Sequence, residues 1–204
     1  MGRPREFDVE KTLDKAMKVF WRKGYEGASM NDLTTAMGIN SPSLYGAFGS
    51  KKGLFKAVLD HYDATRSGLL TKILAAPVAR EVASRFLCGV ADFATDGHHP
   101  RGCLLVQTGL SCAETEVPRE LAKHRAAAEL ALRERFKCAM SEDDVLPEGA
   151  DPAALARYLV TLANGICVQA SAGASCKELT NVAELALMGW PAAACKRRPA
   201  QSAA

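Results

Sequence analysis

The chain has 204 residues, 48% of them hydrophobic and 24% charged, with a formal net charge of +3. This is ordinary globular composition, long enough for one domain or for a small domain joined to a larger one, and it excludes a disordered or collagen-like chain. The excess positive charge is confined to the first third, where residues 1–66 hold eleven Lys/Arg against eight Asp/Glu.

Turn signals divide the first part of the chain into four helices. Asp8 predicts the N-cap of a helix whose Val9, Leu13, Ala16, Met17 and Phe20 recur at helical spacing, and Gly24 after Arg22 and Lys23 is its stop. Ser29 with Asp32 three residues on predicts a capping box, Met30, Leu33 and Met37 an apolar face, and Gly38 an end. Asn40 or Ser41 caps a third helix with Pro42 in its first turn, where a missing N–H costs nothing. Ser50 caps a fourth, running from Lys51 toward Leu74.

Beyond it, periodic segments near 78–95, 103–115, 118–140, 152–171 and 177–190 predict further helices. Their punctuation is Pro77, the glycines of 97–102, Pro118, the prolines of 147–152 and Gly173. β-branched residues are sparse and alternation is rare, so the expected fold class is all-α. Residues 191–204, rich in Ala, Lys, Arg and Pro, are expected to be a disordered tail. No apolar leader stands at Met1–Asp8, and the longest apolar stretch, Leu155–Ala174, is interrupted by Arg157, Asn164 and Gln169. The expectation is a cytoplasmic chain with no membrane partner.

Seven cysteines, at positions 88, 103, 112, 138, 167, 176 and 195, are odd in number and irregularly spaced, with no Cys-x-x-Cys. They fit neither a disulfide scaffold nor a zinc site, and read as reduced thiols buried as small apolar side chains. His98 and His99 are adjacent in an exposed-looking loop and predict no metal site. No nucleophile elbow, phosphate loop or paired-carboxylate motif is present, so neither an enzyme nor a cofactor is expected. The enzymatic alternative is a cysteine hydrolase, with Cys103 or Cys112 as nucleophile and one of four histidines as base.

The constellation with functional content is the pair of short helices joined by Met37-Gly38-Ile39. A glycine in a three- to four-residue turn lets two helices cross steeply as a helix-turn-helix, and the second presents its N-terminal side chains to a major groove. Here those are Asn40, Ser41, Pro42, Ser43 and Tyr45, with Leu44 and Phe48 facing inward. Ser29, Tyr45, Lys51, Lys52 and the N–H groups opening the fourth helix are the expected phosphate anchors. Gly2-Arg3-Pro4-Arg5 is similar to the minor-groove core of AT-hook segments, which assigns Arg3 and Arg5 to DNA; a solvated basic arm is the competing reading.

Residues 8–62 resemble the DNA-binding domain of the TetR/AcrR family. The resemblance is carried by Phe20-Trp21-Arg22-Lys23-Gly24-Tyr25, Ser29-Met30-Asn31-Asp32-Leu33, Ala36-Met37-Gly38-Ile39 and the run from Leu44 to Leu54 (Leu-Tyr-Gly-Ala-Phe-Gly-Ser-Lys-Lys-Gly-Leu). The chain departs from the family at Pro42, where many members have glycine, at Ala47, where many have His or Tyr, and at Lys52, which replaces a usual acid. The resemblance implies a DNA-binding domain over 1–62 and a helical ligand-binding and dimerisation domain over 63–190. It implies a homodimeric, ligand-responsive repressor of a palindromic operator; a non-repressor helix-turn-helix DNA binder shares the N-terminal signals.

It also implies that the last two long helices pair with their mates in a four-helix bundle. The candidates for burial there are Leu155, Leu159, Leu162, Ala163, Ile166 and Ala170, with Leu179, Val182, Leu185 and Leu187. A small-molecule pocket is expected between the middle helices, lined by Phe86, Phe93, Leu105, Gln107, Thr108, Cys112, Phe136, Tyr158 and Asn164. Cys103 stands at a predicted helix N-terminus beside Arg101, features that lower a thiol pKa. Its Gly-Cys-Leu-Leu segment is similar to that of family members sensing oxidants or electrophiles. It is the redox candidate, against the plain reading of a buried inert cysteine.

Overall fold

The computed structural model describes residues 8–110, 116–141, 146 and 149–191. Nine α-helices account for the regular structure among the described residues: α1 (Val9–Gly27), α2 (Met30–Met37), α3 (Ser41–Phe48), α4 (Lys51–Leu74), α5 (Ala79–Thr95), α6 (Leu104–Leu110), α7 (Glu116–Ser141), α8 (Pro152–Ser171) and α9 (Cys176–Met188).

Local sequence determines most of the ends. The Asp8 carboxylate accepts the Lys11 N–H at 3.2 Å and so caps α1. The expected stop at Gly24 is a break instead: its φ of 70° and ψ of 175° interrupt the helix, which resumes for one short turn to Gly27. Ser29 and Asp32 form the full capping box of α2, and Gly38 closes it in the left-handed conformation, its N–H donating to the Thr34 carbonyl at 2.9 Å. Asn40 caps α3 by accepting the Ser43 N–H at 2.9 Å, and Ser50 caps α4 by accepting that of Gly53 at 3.0 Å.

α1, α2, α3 and the first half of α4 enclose one aromatic-rich core. Phe20 is fully buried, edge-on to Phe55 at 4.9 Å between ring centroids and stacked on Tyr25 at 6.1 Å. Leu33, Leu44, Leu54 and Leu59 complete it with no exposed surface. Truncating a ring such as Phe20 to alanine removes about 3–5 kcal/mol.

α4 is continuous across the junction between the two halves, so its second half belongs to a larger bundle with α5 to α9. α8 packs against α5, α7 and α9. It is long and apolar enough in composition to cross a membrane, yet here Ala156, Leu159, Ala163, Ile166 and Ala170 are buried in the bundle. Two arginines tie helix ends to it. Arg135 of α7 donates to the carbonyls of Leu74, Ala76 and Pro77 at 3.0–3.2 Å, closing the end of α4. Arg101 donates to the carbonyls of Ala170 and Ala174 at the end of α8. These groups satisfy carbonyls that a helix terminus leaves without partners.

Candidate functional site

The first candidate surface is the outer face of α3. Leu44 is the one fully buried side chain of this helix and anchors it, while Ser41, Pro42, Ser43 and Tyr45 lie exposed, Tyr45 at 49%. The turn between α2 and α3 rests on Gly38, which takes a positive φ of 73° that L-residues with a side chain adopt only under strain. Small polar side chains and one phenol thus stand exposed on the first turns of α3.

Several expected DNA contacts have structural duties as well. The Asn40 side-chain oxygen holds the α3 cap. The Ser29 hydroxyl donates to Asp32 at 2.7 Å and accepts the Asp32 N–H at 3.0 Å. Lys23 lies 2.6 Å from Asp32 and, with the hydrogen bonds from Ser29, holds that carboxyl down at about 2. Lys51 sits over the Tyr25 ring at 4.7 Å and donates to the Glu26 carbonyl, fastening α4 to the end of α1. Ser29 and Lys51 are therefore first of all supports of the helix-turn-helix. Lys52 is exposed. Arg3 and Arg5 lie outside the described residues.

The second candidate site is a cavity of about 250 Å³ lined by residues of α4, α5, α6, α7 and α8. Of the expected lining residues, Phe86, Phe93, Leu105 and Asn164 do line it. The others are placed elsewhere. Gln107 donates its amide to the Arg101 carbonyl at 3.1 Å, and Thr108 is buried off the cavity. Phe136 packs on Trp190 at 5.6 Å. Tyr158 is exposed, its hydroxyl donating to the Ala186 carbonyl of α9 at 3.2 Å. Cys112 lies outside the described residues.

The cavity's polar equipment comes mainly from α4 and α7, and it escaped sequence reasoning because a charged side chain in a helix reads as a solvated one. Asp63 and His124 meet at 2.5 Å on its wall. Arg66 lies over the rings of Tyr62 and Phe93, 4.9 Å from each centroid, and donates to the Tyr62 hydroxyl at 3.2 Å. Arg125 donates to the Leu105 carbonyl. The i to i+4 step from Tyr62 to Arg66, on a face that also buries Leu59 and Ile73, was the signal that a cation turns inward there.

Cys103 sits among these groups, buried, with its sulfur 3.3 Å from the Tyr62 hydroxyl. Cys167 of α8 lines the same cavity, near Cys103. Interaction with the Cys167 thiol, the positive charge of Arg66, the Tyr62 hydroxyl and the Val106 N–H together hold the Cys103 thiol well below its ordinary range against the effect of burial. Cys167 moves the opposite way, pushed up by its interaction with Cys103 and by burial, and burial also pushes Tyr62 up. Of the three groups, Cys103 is thus the one most readily deprotonated. Because a depressed pKa leaves the thiolate dominant on the alkaline side, alkylation of Cys103 should change little between about pH 7 and pH 8.5. An ordinary cysteine speeds up more than about tenfold over that interval. Peptide mapping after timed iodoacetamide pulses measures this.

An aromatic cluster joins the cavity to the helix-turn-helix. Trp21 of α1 is edge-on to Tyr62 at 5.4 Å and stacked on His99 at 4.7 Å, and His99 lies 4.3 Å from Phe93. His98 is exposed, but His99, expected in an exposed loop, is half-buried in this cluster because the loop folds back onto α1 and α5. Among the described residues no group of three or more His, Cys, Asp or Glu side chains is arranged to hold a metal.

Residues 13–58 match the family model described as bacterial regulatory proteins, tetR family. Over 194 residues the chain is 34% identical to the HTH-type transcriptional repressor ComR of Escherichia coli (strain K12), covering 93% of this chain and 92% of that protein. It is 47% identical over 73 residues to the HTH-type transcriptional repressor BdcR of the same organism, 36% of this chain and 37% of that one. Among solved structures, a cysteine double mutant of the TetR family transcriptional regulator CifR, complexed with 26-bp double-strand operator DNA, superposes with a TM-score of 0.87. It is 40% identical and covers 93% of this chain and 100% of that one. The fold class and the helix-turn-helix read from the sequence agree with these relatives, which are regulators and not enzymes. The chain belongs to the TetR family of transcriptional regulators.

Proposed function

We propose that this regulator is a cytoplasmic repressor that binds a palindromic operator as a homodimer and is released by a small molecule or an oxidant acting in the cavity. The observation that carries the reading is the pairing of an exposed α3 face with a cavity that reaches α1 through Trp21 and Tyr62. Residues 1–62 supply the DNA contacts and residues 63–190 the effector site and dimer face. Ser41, Pro42 and Ser43 meet base edges, Tyr45 and Lys52 meet phosphates, and the arm with Arg3 and Arg5 enters the minor groove. Phe86, Phe93, Leu105 and Asn164 contact the effector, joined by Arg66 and the Asp63–His124 pair. Changes in the cavity reach the recognition helices by shifting α4 and α6 against α1, which alters their separation from the 34–36 Å that successive major grooves require.

Fluorescence anisotropy with the DNA upstream of the protein's own gene, against scrambled DNA across a salt series, tests the reading. Saturable, sequence-selective binding at two protomers per site is the expected result; equal affinity for both DNAs would overturn it. Tyr45→Phe should weaken operator binding roughly tenfold, from two lost hydrogen bonds per dimer. It should leave the salt slope unchanged, because no charge is removed.

A further inference from the structure

Cys103 and Cys167 come from elements far apart in sequence, yet both line the wall of one cavity. The chain is built to bring them together. Gly102, at φ 91°, has no side chain, and a Cβ there would stand 2.9 Å from the Cys167 carbonyl oxygen. The backbones at 102 and 167 approach as closely as glycine permits. Around the pair the polar groups lie in order: Arg66 donates to the Tyr62 hydroxyl at 3.2 Å, and that hydroxyl lies 3.3 Å from the Cys103 sulfur. The remaining wall is largely apolar, with Ile73, Phe86, Val90 and Val160. A nucleophilic sulfur, a second thiol and a cation one hydroxyl away thus face a space shaped for a hydrocarbon group.

Building on the repressor reading above, we infer that Cys103 and Cys167 form a peroxidatic and resolving pair that reacts with organic hydroperoxides held in the cavity. The alkyl or aryl group of the hydroperoxide lies against the apolar wall. The Cys103 thiolate attacks the terminal peroxide oxygen and the O–O bond breaks, so sulfur is oxidised to sulfenic acid and the peroxide is reduced. The departing alkoxide, stabilised by Arg66, takes the Cys167 proton and leaves as the alcohol. The Cys167 thiolate then attacks the Cys103 sulfur, forming the disulfide and expelling hydroxide, which solvent protonates to water. The new bond draws Cys103 toward α8 and off the Tyr62 hydroxyl. Tyr62 packs on Trp21 of α1, and α6, which Cys103 precedes, packs on α1 as well. Disulfide formation therefore alters the seat of the helix-turn-helix.

The test treats the reduced full-length protein with one equivalent of cumene hydroperoxide, or of hydrogen peroxide, and follows three readouts. The expected results are a non-reduced peptide map joining the Cys103 and Cys167 peptides, operator affinity falling at least tenfold and restored by dithiothreitol, and faster reaction with cumene hydroperoxide. Cys167→Ser should form no such link and should accumulate a dimedone-trappable sulfenic acid at Cys103; Cys103→Ser should bind operator but ignore the peroxide. Circular dichroism and operator binding of the reduced variants report their folding. Links between other cysteines, an unmodified Cys103, unchanged operator affinity after the link forms, or equal rates with both peroxides would overturn the inference. Reduced wild-type protein that forms the 103–167 link yet binds no operator would instead sink the repressor reading and leave the thiol chemistry standing.

Discussion

Gly53→Ala should unfold the helix-turn-helix far more readily than an alanine in a helix has any right to. In a helix interior alanine is ordinarily favoured over glycine by about 1 kcal/mol. Here a Cβ at position 53 would lie 2.0 Å from the Phe48 carbonyl oxygen and 3.2 Å from its carbon. Both are backbone atoms of the end of α3, so the clash is relieved only by moving α3 away from α4. The displaced elements include the recognition helix and the Ser50 cap, whose hydroxyl accepts the Gly53 N–H. The expected loss is about 1–3 kcal/mol or more, roughly a 3–10 °C fall in Tm, with operator binding abolished before global unfolding. Gly68, in the same helix, has no atom within 4 Å of its would-be Cβ. Gly68→Ala should therefore stabilise by up to about 1 kcal/mol. Paired thermal melts of the two variants measure opposite signs from one substitution in one helix; equal signs would show that the close contact at Phe48 does not govern.

The same contrast explains what was legible beforehand. Helix starts depend on a side chain reaching a backbone N–H two or three residues on, so Asp8, Ser29 and Ser50 announced their caps in the sequence, and of the two candidates for α3 the structure takes Asn40 and leaves Ser41 as the first helical residue. Inward faces follow the 3.6-residue period, and Leu13, Phe20, Leu33 and Leu44 are buried as that period requires. The cavity follows no such local rule. Whether Phe93 or Phe136 meets a ligand depends on how α5 and α7 cross their neighbours, and Phe136 turned to Trp190 instead. Nothing in the sequence singled out Arg66, Asp63 and His124, because their partners lie in other helices or, for Arg66, in two aromatic faces. The approach of Cys167 to Cys103 rests on a glycine neighbour of Cys103, and a glycine before a helix reads only as a turn.

Replacing Leu185 and Met188 together by arginine should leave each protomer folded and abolish the dimer, and with it operator binding. Of the residues expected to fill a four-helix bundle across a two-fold axis, Leu159, Ala163, Ile166, Ala170, Leu179 and Leu187 are buried within the protomer. They complete its own core, as a helix face turned inward must. What α8 and α9 leave on the outside is Tyr158, Val168, Val182, Leu185 and Met188, with Leu185 66% and Met188 79% exposed. Exposed apolar side chains concentrated on the last two helices are the composition of an association surface rather than of a solvated one. Guanidinium groups on that face cost the protomer almost nothing, since both positions are open to water. In a dimer they would be desolvated without partners, at about 3 kcal/mol or more, weakening association at least roughly a hundredfold. Sedimentation should then show monomers with an unchanged helical spectrum and an unchanged melting transition of α1 to α4. A half-site reader without its mate loses the second set of groove contacts, so anisotropy on the palindrome should fall to the level of scrambled DNA. A variant that stayed dimeric would move the interface away from α9, whereas one that became monomeric yet kept full operator affinity would separate DNA recognition from dimerisation altogether.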